Sequence, residues 1–249
     1  MISSGLVLKC VYEQLLRRGE TVEKHSLGRI KEAYEGVGRY AWAYDGMMAN
    51  KSFFGRLAMR CLWGISEKNY PRFLRLAFGG IPAGFGGRLL EVPVGTGVLS
   101  LPEYQKLPQA SVTCLDYSQE MLSAARERAE QMELAQVSFC QGDVGNLPFE
   151  DKSFDLVLSV NGFHVFPNKS KAYIETWRML RRGGIFCGCM YVRGENHITD
   201  LFVRQFCQRH ELFCPPYETA ESLKRRLEGL YEQVELSLVG SFAGFVCRK

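Results

Sequence analysis

The chain has 249 residues, 46% of them hydrophobic and 23% charged, with a net charge of +4. That is enough apolar content to bury a large core, as in one α/β domain with a cap. Lysines and arginines are dispersed among acids, with Arg181-Arg182 and Arg225-Arg226 as isolated pairs, which excludes the basic stripe of a nucleic-acid binder.

In chain order, residues 1–18 carry Val7, Cys10, Val11, Leu15 and Leu16 at helical spacing, and residues 27–43 and 52–77 are also helix-like. Ala43-Tyr-Asp-Gly-Met-Met-Ala-Asn50 separates the last two, and 52–77 is rich in large apolar groups such as Phe53, Leu62, Trp63 and Phe73. The Gly/Pro-rich stretch Gly79 to Gly87 then reads as a linker. It divides a helical cap, residues 1–84, from a core over residues 85–249.

Gly87 to Ser100, GRLLEVPVGTGVLS, is a short apolar strand, an acid, a glycine turn and a helix start. Glycines let the backbone turn with φ > 0 and pass close to a ligand. A helix N-terminus adds free N–H groups and a partial positive charge. A second strand, Ser111 to Leu115, ends in Asp116, nineteen residues after Gly97. A carboxylate there suits the ribose hydroxyls of a nucleoside-containing cofactor. Two cofactors fit. Gly95-x-Gly97-x-x-Ser100 is close to the dinucleotide fingerprint of nicotinamide enzymes. Glu91, however, would repel a pyrophosphate and could hold the cationic methionine amine of S-adenosylmethionine (SAM). Glu91 therefore favours SAM.

Ser118 is a natural N-cap, and Leu122, Ala125, Ala129 and Met132 form a core-facing stripe behind it. A third strand, Gln136 to Cys140, leads into Gly142-Asp143-Val144, where Asp143 could accept a hydrogen bond from an adenine-type amine and Val144 pack on the ring. Phe154 to Val160 is a nearly continuous apolar strand, as one buried on both faces would be, ending in Asn161-Gly162-Phe-His164-Val-Phe166. A helix follows from Asn168 to Arg182, with Ile174, Trp177 and Leu180 inward and Gly183-Gly184 as its stop. Strand five is Ile185 to Val192, and a helix over Ser222 to Leu230 precedes two closing strands, Tyr231 to Leu238 and Phe242 to Cys247.

In this order the pieces resemble the class I SAM-dependent methyltransferases, including the ubiquinone/menaquinone-type and related small-molecule enzymes, over roughly residues 85–249. Glu91 to Gly97 matches the family's D/E-x-G-x-G-x-G loop, Asp116 its ribose acid and Gly142-Asp143-Val144 its adenine site. Phe154-Asp-Leu-Val157 and Arg181-Arg-Gly-Gly184 match two later landmarks. One departure stands out: Pro93 occupies the place of the first glycine and removes an N–H.

The resemblance implies an α/β fold: a Rossmann-like, doubly wound, seven-stranded sheet, mostly parallel with an antiparallel C-terminal edge pair, plus the N-terminal helical cap. It implies SAM as cofactor, with S-adenosylhomocysteine (SAH) as product. The loop contacts would be Glu91, Val92, Pro93, Gly95, Thr96 and Gly97. Asp116, Tyr117 and Met121 would follow strand two; Gly142, Asp143 and Val144, strand three; Asn161 and Gly162, strand four. His164 and Tyr44 are the catalytic candidates beside the methyl. The expected function is methyl transfer to a small-molecule acceptor; an NAD(P)-dependent oxidoreductase, or a SAM-binding scaffold without turnover, is the alternative.

Nine cysteines are scattered without metal-site spacing, so no metal is expected, and Cys187-x-Cys189 reads as core packing. The odd number and the absence of an N-terminal signal segment point to a reducing cytoplasm. No apolar run approaches the ~20 residues of a membrane span. A small-molecule partner and a monomer or homodimer complete the expectation.

Overall fold

In the computed structural model, which describes Asp45 and residues 53–249, seven strands form one sheet in the order β3-β2-β1-β4-β5-β7-β6. The strands are β1 (Arg88–Glu91), β2 (Ser111–Asp116), β3 (Val137–Gln141), β4 (Phe154–Val160), β5 (Leu180–Tyr191), β6 (Gln233–Val239) and β7 (Phe242–Arg248). β1 pairs in parallel with β2 on one side and β4 on the other, at Leu90↔Thr113 and Leu90↔Val157. The chain therefore winds outward through β2 and β3, then crosses back to β4. That reversal opens a crevice at the carboxyl ends of the central strands, where ligands bind in open α/β sheets. β7 runs antiparallel to both β5 and β6, forming the expected C-terminal pair.

Burial explains the central strands. Leu89, Leu90, Leu156, Val157 and Leu158 are fully buried, because helices cover both sheet faces. The expected single helix over 52–77 is instead two, α1 (Phe53–Trp63) and α2 (Tyr70–Phe78). Gly64 lies between them at φ +70°, a backbone state that ends a right-handed helix, and Pro71 starts the second. α2 lies so close to the sheet that a Cβ on Gly244 would sit 2.2 Å from Leu76 Cγ. The helices read over 1–18 and 27–43 lie outside the described residues, as does Tyr44.

The helix expected to start beyond the glycine turn is the four-residue α3 (Leu101–Tyr104), which begins after Ser100. α4 (Gln119–Gln131) matches its reading: the Ser118 side chain accepts from the Met121 amide, and Leu122, Ala125 and Ala129 are buried. α5 (Lys169–Met179) corrects its reading. Ile174 and Trp177 are 58% and 39% exposed, while Ala172, Tyr173, Thr176 and Met179 face the core. The buried face contains a threonine and a tyrosine, so a search for purely apolar residues selects the wrong stripe. Gly183-Gly184 is no helix stop; it sits inside β5, next to a register shift between β4 and β5. α6 (His197–Phe202), continued by a π-turn over Val203–Cys207, and α7 (Ala220–Glu228) complete the described helices. A capping box between Thr219 and Ser222 starts α7.

Cys187 and Cys189 are buried in the core, and among the described residues no cluster is suited to a metal ion. Among the same residues no helix is long and apolar enough to cross a membrane.

Candidate functional site

The crevice at the sheet's carboxyl edge is lined by residues from four strand ends. Val92 and Pro93 follow β1, Leu115 to Tyr117 close β2, Gly142 to Val144 follow β3, and Phe166 and Pro167 lie between β4 and α5. Leu115, Phe166 and Pro167 are the lining residues that sequence reasoning missed. They are apolar wall positions with no motif of their own, although each lies within two residues of a position already read.

The glycine loop owes its shape to internal bonds. Val92 donates its amide to Leu158 at 2.9 Å and Val94 to Leu115 at 3.0 Å, so both neighbours of Pro93 are tied to adjacent strands. Pro93 lacks an N–H at the one point between these anchors. Its ring fills space that Gly162 leaves: a Cβ on Gly162 would lie 2.4 Å from Pro93 Cδ. The two loop glycines do different work. Gly95 has φ +56° and nothing within 4 Å of where a Cβ would point, whereas at Gly97, φ +68°, a Cβ would lie 2.6 Å from Leu101 Cδ1. A side chain at Gly95 would thus meet open space, whereas Gly97 serves the packing of α3.

Thr96, between them, is 1% exposed. Its hydroxyl donates to Asp45 and its carbonyl accepts from the Arg128 guanidinium. Neither Asp45 nor Arg128 was among the expected site residues, and 51 and 32 positions from Thr96 they carry no local signal.

Three carboxyl groups stand in three environments. Glu91 is 1% exposed and is not among the crevice-lining residues; Tyr104 Oη donates to its Oε2 at 2.8 Å. Burial pushes its pKa up to about 8, against the lowering effect of hydrogen bonds from Tyr104 and Cys114. Asp116 is 3% exposed and lines the crevice. Its Oδ2 accepts from the Gly95 amide at 2.8 Å and its Oδ1 from Ser118 at 3.0 Å. Burial lifts its pKa to about 6 despite those bonds. Asp143 is exposed in the crevice wall and accepts from the Gly145 amide at 2.8 Å.

The remaining expected residues divide. Tyr117, Gly142 and Val144 line the crevice, and a Cβ on Gly142 would lie 3.0 Å from Leu115 Cδ1. Met121 is buried under the first turn of α4. Asn161 adopts φ +58° and is 8% exposed, its amide donating to Cys189. Expected beside the transferable methyl, His164 is instead 3% exposed and outside the crevice lining. Its Nδ1 accepts from the Tyr191 amide at 3.2 Å and its ring packs 4.1 Å from Phe213. Burial, reinforced by Lys169, holds its pKa down near 3.

Residues 89–184 match a family model described as a methyltransferase domain. A phosphatidylethanolamine N-methyltransferase of Cereibacter sphaeroides is 44% identical over 100 residues, 40% of this chain and 48% of that protein. A chloroplastic 2-methyl-6-phytyl-1,4-hydroquinone methyltransferase 2 of Oryza sativa subsp. japonica is 30% identical over 153 residues, 61% of this chain and 41% of that one. The matches thus span less than half the length of these relatives. Among solved structures, a SAM-dependent methyltransferase of Thermotoga maritima superimposes with a TM-score of 0.62 at 19% identity, over 87% of this chain and 99% of that one. That likeness is one of fold. Taking strand order, glycine loop and domain match together, the chain carries a methyltransferase domain over residues 89–184 and resembles the class I SAM-dependent methyltransferases.

Proposed function

We propose that the protein transfers a methyl group from SAM to a small acceptor of partly apolar character, releasing SAH. The observation that carries this reading is the convergence of Asp116 and Asp143 on one crevice, with Asp116 also holding the amide of Gly95, whose missing side chain would meet nothing within 4 Å. The residues present fit the cofactor. Asp116 uses two acceptor sites on backbone amides and keeps lone pairs for ribose hydroxyls. Asp143 and Val144 offer an acceptor and an apolar face for adenine. When bound, SAM supplies an activated methyl on a good leaving group. The protein's own part is then to orient the acceptor and exclude water.

Phe166, Pro167 and Leu115 give the crevice an apolar wall, which supports an acceptor with apolar surface. The relatives' names, phosphatidylethanolamine and a phytyl hydroquinone, agree with that class. No general base is assigned, since a base is required only where the acceptor must lose a proton near the transition state. A cap over residues 1–84, on the acceptor side of a core over 85–249, and residence in the cytoplasm belong to the same proposal.

The test is native mass spectrometry of the purified protein for SAM or SAH, followed by transfer of labelled methyl to amines, phenols and quinols. SAM or SAH at about 100 times Kd should stabilise the fold by roughly 2.7 kcal/mol. Thermal stabilisation by NADH but not by SAH would overturn the reading.

A further inference from the structure

We propose that Asp45 is a positioning residue that couples the part of the chain preceding the sheet to the cofactor loop, so that cofactor binding and docking of Asp45 reinforce each other. The inference rests on the reading of the crevice as a SAM site and adds a residue outside the matched domain. Its basis is a closed ring of contacts. Asp45 Oδ1 accepts from the Thr96 hydroxyl, and Asp45 Oδ2 accepts from Arg128 Nη2 at 2.6 Å. Arg128 Nη1 donates in turn to the Thr96 carbonyl. One carboxylate and one guanidinium thereby hold both polar groups of the same loop residue.

The location gives the ring its consequence. Thr96 lies between Gly95 and Gly97, both at positive φ, the two most freely rotating positions of the loop. Asp116 fixes the Gly95 amide from one side, and the Gly97 amide donates to Val94 at 3.0 Å. Without the ring, the Thr96 peptide has no other partner for its carbonyl or hydroxyl among the described contacts. A ligand whose binding-competent loop is only partly populated loses affinity in proportion to that fraction. The ring raises the fraction, and linkage makes the effect mutual: whatever orders the loop also favours Asp45 in place. The pair is shielded enough to act, since the Asp45 and Arg128 side chains are 19% and 29% exposed. It is also charge-assisted, which separates it from a solvated surface ion pair.

The experiment is calorimetry of SAH binding to wild type, Asp45→Asn, Thr96→Val, Thr96→Ser and the Asp45→Asn/Thr96→Val double variant, with hydrogen exchange of a peptide containing Asp45 with and without SAH. Each of Asp45→Asn and Thr96→Val should weaken SAH roughly 10-fold, the loss of one charge-assisted hydrogen bond. The double variant should be little worse than either, since both break one ring. Thr96→Ser, which keeps the hydroxyl, should bind as wild type does. SAH should slow exchange around Asp45 in the wild type. Wild-type affinity in both single variants, or exchange at Asp45 indifferent to SAH, overturns the coupling while leaving the SAM site intact. If the variants fail to fold, the wild-type exchange decides alone. A wild type that binds no SAH overturns the functional reading itself.

Discussion

Asp116 reaches back 21 positions to hold the Gly95 amide at 2.8 Å, so the acid expected to meet the cofactor's ribose also fixes the loop beside it. One carboxylate links the ends of β1 and β2. Removing it therefore takes away the proposed ribose contact and an anchor of the glycine turn together.

Asp116→Ala should weaken SAH binding by about 1.5–3 kcal/mol through the lost charged acceptor alone, and by more if the loop loosens. The effect has a pH signature. Burial raises Asp116 to about 6 in the folded protein, so the carboxylate needed by ribose forms only above that value. SAH affinity of the wild type should fall as pH drops from 7 through about 6 to 5. Calorimetry across that range checks it, and a flat profile would count against Asp116 as the ribose acid.

Glu91 offers a separate pH test, one of stability. Its ordinary value is 4.5 and its folded value about 8, so between them the native state binds more protons than the unfolded chain. Stability from this group is complete below pH 4.5 and is lost as pH rises through about 8. Glu91→Gln is neutral at every pH and nearly the same shape. Its melting temperature relative to wild type should climb steadily between pH 5 and 8.5, read by thermal denaturation in matched buffers. A constant difference would mean that Glu91 ionises normally in the fold.

The sheet was legible in the sequence because its central strands are short apolar runs, the pattern that burial on two faces demands, each followed by a polar or glycine-bearing loop. The crevice was legible for the same reason, since Asp116, Gly142, Asp143 and Val144 sit directly at strand ends. Other features depend on contacts between distant parts of the chain. Nothing near Thr96 announces Asp45 or Arg128, and nothing near His164 announces that Tyr191 occupies its ring nitrogen. The face of α5 was misread because Tyr173 and Thr176 are polar by type yet buried in place.

The two loop glycines should respond differently to alanine. At Gly97 the new Cβ would stand 2.6 Å from Leu101 Cδ1 at a positive φ, so Gly97→Ala should cost about 1–3 kcal/mol of folding stability. At Gly95 the same substitution meets open space and carries mainly the backbone penalty of a left-handed residue, about 1 kcal/mol. On the proposed SAM reading, the added methyl enters space that the cofactor uses. Gly95→Ala should therefore lose SAH affinity out of proportion to its small loss in denaturant midpoint, and Gly97→Ala the reverse. Equal ratios of affinity to stability loss in the two variants would remove the distinction drawn between them.

His164 is the sharpest point of difference between sequence and structure. A base beside the acceptor needs a free lone pair and a pKa near the working pH. His164 Nδ1 is taken by the Tyr191 amide, and burial together with Lys169 holds the ring neutral down to about 3. The native protein therefore loses stability as pH falls from 6.5 toward 3, where the unfolded chain takes up a proton and the buried ring does not. His164→Ala should leave the Tyr191 amide unpaired in the core and open a void beside Phe213, lowering stability by about 1–3 kcal/mol. His164→Asn, whose side-chain oxygen is an acceptor, should recover part of that loss. In both variants SAH affinity should change little at temperatures where the fold is intact. With an acceptor identified, the wild-type rate of methyl transfer should show no inflection belonging to a histidine between pH 5 and 8. An inflection near 6.5 that disappears in His164→Asn, without a change in melting temperature, would restore His164 as the base.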